Sequence, residues 1–368
     1  MSQAAVTGTG RETVVQIRDL RVHFPITRGA VLRRQVGWVR AVDGVTLDIL
    51  HGETLGLVGE SGSGKTTLGR SLVRLIRPTS GSILFRGVDL ARLKGGKAKQ
   101  ITADLQMVFQ DPYGSFDPRM PIGASIEEPM RAHRSGRPSE RRAAVADLLT
   151  TVGLPRRAAG RYPHELSGGQ RQRAGIARAL ALRPALIVAD EPVSALDVSI
   201  QAQILNLLQK LQQQFHLTYL FIAHDLAVVR YISDRVAVMY LGEVVELAST
   251  GELYTNPLHP YTIALLSAIP ISDAAIEAAR ARIVLPGDPP NPAHPPAGCR
   301  FHTRCWLRQR LGNPERCATE VPALAIAGQQ HQVACHFADD AASSPMRRAV
   351  LAYAADTPPE PPGEGGLS

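Results

Sequence analysis

The chain has 368 residues, with 41 Lys and Arg against 33 Asp and Glu, a formal charge of 41 − 33 = +8, and 44% hydrophobic residues. This length is too great for one small core and suggests two domains, and the composition reads as that of an ordinary soluble protein. No apolar run approaches the roughly 18 residues of a spanning helix, and the opening MSQAAVTGTGRETVVQ lacks the apolar core of a secretory signal, so export is not expected. The basic balance fits an anionic ligand, nucleic acid or an anionic membrane face.

Along the chain, residues 1–11 are small and polar and are expected to be disordered. TVVQIRDLRVHF and VTLDI alternate and read as strands, separated by a basic insertion, PITRGAVLRRQVGW, with no clear period. ETLGLVG is a strand, KTTLGRSLVRLI a helix that stops before Pro78, and GSILFRG a further strand. ERRAAVADLLTTVGL has helical spacing and ends near Gly153; RQRAGIARALAL is a helix stopped by Pro184. ALIVAD and LTYLFIAHD are buried strands on either side of the amphipathic helix SIQAQILNLLQKLQQQF, and VAVMYLGEVVEL forms two strands turning at Leu241-Gly242. This alternation predicts a parallel α/β core up to about residue 250. The proline-rich LPGDPPNPAHPPAGC reads as a linker, and TPPEPPGEGGLS as a disordered end. The expected organisation is a nucleotide-binding domain over 12–255, a cysteine-containing domain over 256–340, and a disordered tail over 341–368.

GLVGESGSGKTTLGR (residues 56–70) matches G-x-x-x-x-G-K-[ST] between a strand and a helix. Gly59, Gly62 and Gly64 let the backbone curl so that its N–H groups converge on phosphate oxygens, and the following helix aims its positive end at the same point. Glu60, Ser61, Ser63 and Thr67 complete the loop; Lys65 would bridge the β- and γ-phosphates, and the Thr66 hydroxyl would ligate Mg²⁺. In ALIVADEP, Asp190 and Glu191 end a buried strand, where open α/β sheets bind ligands. Asp190 suits the metal as a second anchor, and Glu191 is placed to polarise a water for attack on the γ-phosphate. His224 ends another apolar strand and Gln110 sits in LQMVFQDP, but each alone says little. In LSGGQRQR, Ser167 reads as an N-cap, and Gly168, Gly169 and Gln170 open a second helix able to receive an anion. One nucleotide needs one phosphate loop, so a second γ-phosphate reader implies a second subunit.

On these residues the sequence resembles the ABC-type ATPases over about residues 12–250. GESGSGKT looks like the Walker A loop, Gln110 the Q-loop glutamine, LSGGQ the signature, LIVADE Walker B, SALD the D-loop and His224 the switch histidine. The resemblance implies a P-loop cassette: an α/β fold with a parallel-sheet core, an antiparallel β subdomain and a helical subdomain. It further implies ATP and Mg²⁺ as ligands, Glu191 as catalytic base, Gln110 as a sensor of water and metal, His224 on the γ-phosphate, and two cassettes paired head to tail. An aromatic residue stacks on adenine in that family; Phe24 is preferred here to Trp38. VFQDPYGSFDPRM, RYPHELSGGQRQR, NPLHPYTIALLSAIP and PPAGCRFHTRC extend the likeness to about residue 337 and resemble the oligopeptide/dipeptide importers, within them the dipeptide-type second ATPase. That implies a peripheral protein on the cytoplasmic face of the plasma membrane. Its partners would be a second ATPase, two permeases and, indirectly, an extracytoplasmic peptide-binding protein, with no nucleic acid. A soluble ABC-type ATPase acting on nucleic acid, and a subunit that binds ATP without hydrolysing it, are the rival readings.

Cys299, Cys305, Cys317 and Cys335 are spaced C-x5-C-x11-C-x17-C, without the C-x2-C knuckle of ordinary zinc ribbons. The spacing leaves a metal site and buried free thiols both open. Some peptide-importer ATPases carry an iron–sulfur cluster in this segment, so the resemblance implies a [4Fe–4S] cluster on the four cysteines. Arg300, Arg304, Arg308, Arg310 and Arg316 would offset its charge, with His302, His331 and His336 as alternative ligands or packing residues.

Overall fold

A computed structural model describes residues 12–28, 34–111, 113–269, 282–328 and 330–354. The expected disordered segments 1–11 and 357–368 lie outside the described residues.

Two sheets organise the described chain. The smaller is antiparallel, in the order β2–β1–β4–β5, from β1 (Thr13–Arg28), β2 (Arg34–Leu50), β4 (Ser80–Phe85) and β5 (Val88–Asp89). β1 and β2 form one long ribbon, paired from Thr13↔Leu50 to Arg28↔Arg34. The basic stretch without a readable period is therefore largely strand. Its side chains are exposed on both faces toward the tip, so no hydrophobic alternation records the pairing.

The larger sheet runs β11–β12–β10–β9–β3–β8–β7–β6. Its parallel part comprises β6 (Leu105–Val108), β7 (Leu186–Asp190), β8 (Thr218–Ile222), β3 (Thr54–Val58) and β9 (Arg235–Tyr240). β10 (Glu243–Ser249) pairs antiparallel with β9 through a turn in which Leu241 and Gly242 both have positive φ, 46° and 87°. β12 (His331–Val333) and β11 (Ala325–Gly328), from the cysteine-containing segment, extend the same sheet through β10. Alternate residues of the central strands face opposite sides. Tyr219 and Phe221 enter one core with the helices, and Leu220 and Ile222 enter a second core beneath the antiparallel sheet. Burial on both faces is why these strands read as continuous apolar runs.

The helices that matter for the site are α1 (Lys65–Leu72), α2 (Gly95–Asp104), α3 (Ile122–Ala132), α4 (Pro138–Thr151), α5 (Gly168–Leu180), α6 (Val198–Phe215), α7 (Leu226–Ile232), α8 (Thr250–Thr255) and α9 (Pro260–Ser267). α1 ends a turn earlier than its apolar pattern suggests, because Arg74 turns left-handed (φ 63°) and the N–H groups of Leu75 and Ile76 fold back onto the Arg70 carbonyl. Part of the expected disordered tail is helical: Ala338–Ala342 and Pro345–Ala354. The second of these is started by the Ser344 hydroxyl accepting from Arg347 N–H at 3.1 Å. It buries Val350 and packs on α8 and α9. A short amphipathic helix with a docking face thus escapes a reading based on composition alone.

Candidate functional site

Four neighbouring parallel strands, β3, β8, β7 and β6, end at one edge of the sheet. The segment after each carries one candidate group: the glycine loop after β3, His224 after β8, Glu191 after β7 and Gln110 after β6. Parallel strands deliver their C-terminal ends side by side, so residues more than a hundred positions apart meet there.

The loop is fixed by its neighbours. Gly59 and Gly64 have φ of 152° and 103°, and a Cβ on either would lie 2.1 Å from the Met239 carbonyl oxygen or 2.0 Å from that of Ala41. Only glycine fits both the conformation and the space. The Ser63 carbonyl accepts from Gly242 N–H at 2.9 Å, tying the loop to the β9–β10 turn. Lys65 is 4% exposed, and its ammonium group donates to the carbonyls of Gly59 (2.7 Å) and Glu60 (2.9 Å). Burial lowers its pKa, opposed by the carboxylates of Glu191, Asp190 and Glu60. Gly62 lies open at the loop's crest, where a Cβ would meet nothing within 4 Å, and Ser61 and Thr67 flank it on the exposed and helical sides.

Asp190 is fully buried. Its Oδ1 accepts from the Thr66 hydroxyl at 2.8 Å, while Oδ2 has no hydrogen-bond partner among the described residues. Burial raises its pKa, and the Thr66 hydrogen bond opposes that rise. A buried carboxylate oxygen without a partner, next to a hydroxyl and the phosphate loop, is the donor set that Mg²⁺ requires, so the residues present fit the ion. Glu191 follows with φ 44°, a strained position for a residue with a side chain. Its Oε2 accepts from Gln110 Nε2 at 2.9 Å and lies 3.2 Å from His224 Nδ1. Its amide donates to the Ile222 carbonyl at 2.9 Å, which locks the strained turn to β8.

Ser167 caps α5 as its sequence suggests. Its hydroxyl accepts from Gln170 N–H at 3.3 Å, and the Gln170 side-chain oxygen accepts from Ser167 N–H at 3.2 Å. Gly168 and Gly169 face Leu196 and Ile200, so this helix start sits beside SALD and α6. Phe24 and Trp38 are both partly exposed on the β1–β2 ribbon, at adjacent registers: Phe24 opposite Val39, and Trp38 opposite Pro25.

Two sets of contacts were not legible in the sequence. Arg171, in the helix after the signature, is buried; its guanidinium lies 3.2 Å from the Tyr113 ring centroid and donates to the Leu166 carbonyl at 2.9 Å, binding the Gln110 segment to α5. Second, Arg304 Nη1 pairs with Glu60 Oε2 at 2.8 Å, and Tyr261 accepts from Glu60 N–H at 2.8 Å. Both partners come from beyond residue 255. No local pattern signals them, because they depend on the cysteine segment folding over the loop.

The iron–sulfur expectation is overturned. Cys299, Cys305, Cys317 and Cys335 do line one small cavity, with Phe301, Leu307 and Phe337. Yet among the described residues no group of three or more His, Cys, Asp or Glu side chains is arranged to hold a metal ion. The cavity favours neutral thiols. Burial pushes Cys305 up to about 11 and Cys299 up to about 12, and raises Cys317 and Cys335 as well. Two of the sulfurs accept backbone N–H bonds at 3.4 Å, Cys305 from Arg308 and Cys335 from Phe337. Of the arginines expected to offset a cluster, three are engaged elsewhere, Arg300 with Asp43 and Glu243, Arg304 with Glu60, and Arg316 with Glu320, while Arg308 lines the cavity. Of the alternative ligands, His331 is buried against Glu246 at 2.8 Å, while His302 and His336 donate to the carbonyls of Cys299 and Glu320.

The family described as "ABC transporter" matches residues 42–194, and "Oligopeptide/dipeptide transporter, C-terminal region" matches 245–310. The oligopeptide transport ATP-binding protein AppF of Bacillus subtilis is 53% identical over 333 residues, covering 90% of this chain and 99% of that protein. The oligopeptide transport ATP-binding protein OppF of Escherichia coli is 50% identical over 332 residues, 89% of this chain and 96% of that protein. Among solved structures, a dimeric post-hydrolysis state of the ATP-binding cassette MJ0796 bound to ADP and Pi matches with TM-score 0.57 and 30% identity, over 64% of this chain and 98% of that one. None of these relatives supports the nucleic-acid reading. With the phosphate loop, the acidic strand end and the signature helix in one cassette, and with this identity to whole relatives, the chain belongs to the ATP-binding cassette family of transporter ATPases and is an ATP-hydrolysing subunit of the importer type.

Proposed function

We propose that this cassette energises the uptake of dipeptides or oligopeptides through a pair of membrane permeases. The observation that carries the catalytic part is the meeting of Gln110 and His224 on one oxygen of Glu191, beside Asp190 and the glycine loop.

The loop Gly59–Thr67 receives the nucleotide phosphates, with Lys65 turning from the carbonyls of Gly59 and Glu60 toward the β- and γ-oxygens. Phe24 offers the aromatic face for adenine. Thr66 and Asp190, with Gln110, would hold Mg²⁺, which would supply positive charge to the nucleotide phosphates. Glu191 accepts a proton from a water as its oxygen attacks the γ-phosphorus. The bond to the β–γ bridging oxygen breaks, leaving ADP and phosphate. Gln110 and His224 orient the Glu191 carboxylate, and His224 also reaches the γ-phosphate. Ser167, Gly168, Gly169 and Gln170 serve the nucleotide of a second cassette, so the working unit is a pair, a heterodimer with a sister ATPase.

Relatives named as oligopeptide transport proteins, and the peptide-transporter match over 245–310, support the choice of solute. No described helix is long and apolar enough to cross a membrane, so attachment to the cytoplasmic face falls to the permeases. An extracytoplasmic peptide-binding protein delivers solute to those permeases. The test is reconstitution of this chain in liposomes with a peptide-importer permease pair and a sister ATPase. Peptide uptake should require ATP and cease with Glu191→Gln; ATP turnover that no peptide or permease alters would refute the transport reading.

A further inference from the structure

Glu60 is the one acidic side chain in the loop, and every polar group it carries is engaged. Its N–H donates to the Tyr261 hydroxyl, and its carboxylate pairs with Arg304. Its carbonyl accepts from Lys65 Nζ at 2.9 Å and from Ser63 N–H at 3.2 Å. The two outer partners are built in firmly. Tyr261 is fully buried in α9, its ring 4.7 Å from Tyr240 and 5.3 Å from Phe301. Arg304 is 7% exposed, and its Nε donates to the Pro286 carbonyl at 3.2 Å.

Asp190 and Glu191 each have a role beside an anionic ligand: one meets the metal and the other the water. Glu60 has no such use. Its charge acts on Lys65 in the same sense as theirs and, uncompensated, would oppose phosphate binding in a partly desolvated loop. A fixed guanidinium removes that opposition, and two of its nitrogens already donate to the carboxylate and a carbonyl. The tyrosine hydroxyl accepts from the Glu60 amide and holds this end of the loop in place before nucleotide binds.

We propose that Arg304 and Tyr261 are positioning residues of the nucleotide site: Arg304 neutralises Glu60, Tyr261 anchors its amide, and the cysteine-bearing segment thereby sets the affinity for nucleotide phosphates. This rests on the reading that Gly59–Thr67 binds those phosphates. The rival is a plain structural brace, which would affect stability and nothing else.

The experiment measures Mg-ATP binding by the full chain, made non-hydrolysing with Glu191→Gln, alongside thermal melts. Arg304→Met should raise Kd about tenfold or more. Adding Glu60→Gln to it should recover most of the loss, since the charge to be neutralised is gone. Arg304→Lys should stay within about threefold, and Tyr261→Phe should raise Kd a few-fold. Arg304→Met binding as tightly as the parent, or a loss that Glu60→Gln leaves untouched, overturns the proposal. Should Arg304→Met fail to fold, the decision passes to the other three variants. A double variant that binds like the parent, with weakened Tyr261→Phe, supports it; unchanged Tyr261→Phe together with weakened Arg304→Lys and double variants refutes it. Lys65→Ala is the control: unchanged ATP binding there would remove the phosphate-loop reading itself, a failure distinct from that of Arg304.

Discussion

Among the described residues, reactive side chains gather in two places, one drawing on distant parts of the chain and the other on a single C-terminal segment. At the strand ends, Thr66, Gln110, Asp190, Glu191 and His224 converge; under the C-terminal segment, the four cysteines do. Their surroundings differ. The strand ends keep Glu191 in hydrogen bonds, leave an Asp190 oxygen unpartnered and set a lysine beside them. The thiol cavity is walled largely by Phe301, Leu307 and Phe337, with Arg308 at its wall, while Arg300 and Arg304 pair with acids elsewhere. Convergence alone does not make a site; the charge balance around it decides whether groups stay ionised and able to act.

The widest gap between the two regions should come from Glu191→Gln. Losing the water-polarising carboxylate is expected to cut ATP turnover about 100- to 1000-fold while leaving Mg-ATP binding within a few-fold, checked by phosphate release and equilibrium titration. Comparable turnover in the variant would break the claim that the strand-end cluster is the chemical centre.

The thiol side is tested by labelling. With Cys305 pushed up to about 11 and Cys299 up to about 12, these two thiols in the native chain, followed by peptide mapping, should react with a disulfide reagent at pH 8 at least about 100-fold more slowly than a free cysteine of ordinary pKa. Urea should restore the normal rate. Rapid labelling in the native state would show thiolates that the cavity ought not to sustain.

His259 lies between the two regions. It lines the thiol cavity, and its Nδ1 accepts from Tyr261 N–H at 3.1 Å. Burial lowers its pKa from 6.5 to about 4, with Glu246 opposing. The unfolded chain therefore binds the extra proton first. This contribution to stability is complete above pH 6.5 and is lost as pH falls from 6.5 to about 4, a change on the order of 3 kcal/mol. Urea titrations across that window should show the slope, and a His259→Asn variant should flatten it.

The smallest expected effect is at the signature helix. Ser167→Ala removes the hydroxyl that accepts from Gln170 N–H and should cost about 1 kcal/mol of stability, a few degrees in Tm. A loss several times larger would mean that this helix start does more for the isolated chain than cap itself.

Much of the site is legible because its parts are local. Gly59 to Thr66 announce the loop by spacing, Asp190 and Glu191 end an unmistakable apolar run, and Ser167 carries its own capping partner three residues on. The β1–β2 ribbon is harder to read, since its outer half is exposed on both faces, and the Pro345–Ala354 helix is too short for its period to stand out. The cysteines mislead for a different reason: their spacing is compatible with a metal, and only their surroundings argue against one.

By itself the sequence determined the strand–loop–helix that cradles phosphates, the parallel α/β order and the helix caps. Each of these follows from side-chain period, backbone freedom or a hydrogen bond within a few residues. The tertiary structure alone decided that Gln110 and His224 share one oxygen of Glu191, that Arg304 and Tyr261 reach back to Glu60, and that the four thiols line one small cavity whose burial holds them neutral. Those outcomes depend on which groups are desolvated together, and desolvation is a property of the folded neighbourhood rather than of any stretch of chain.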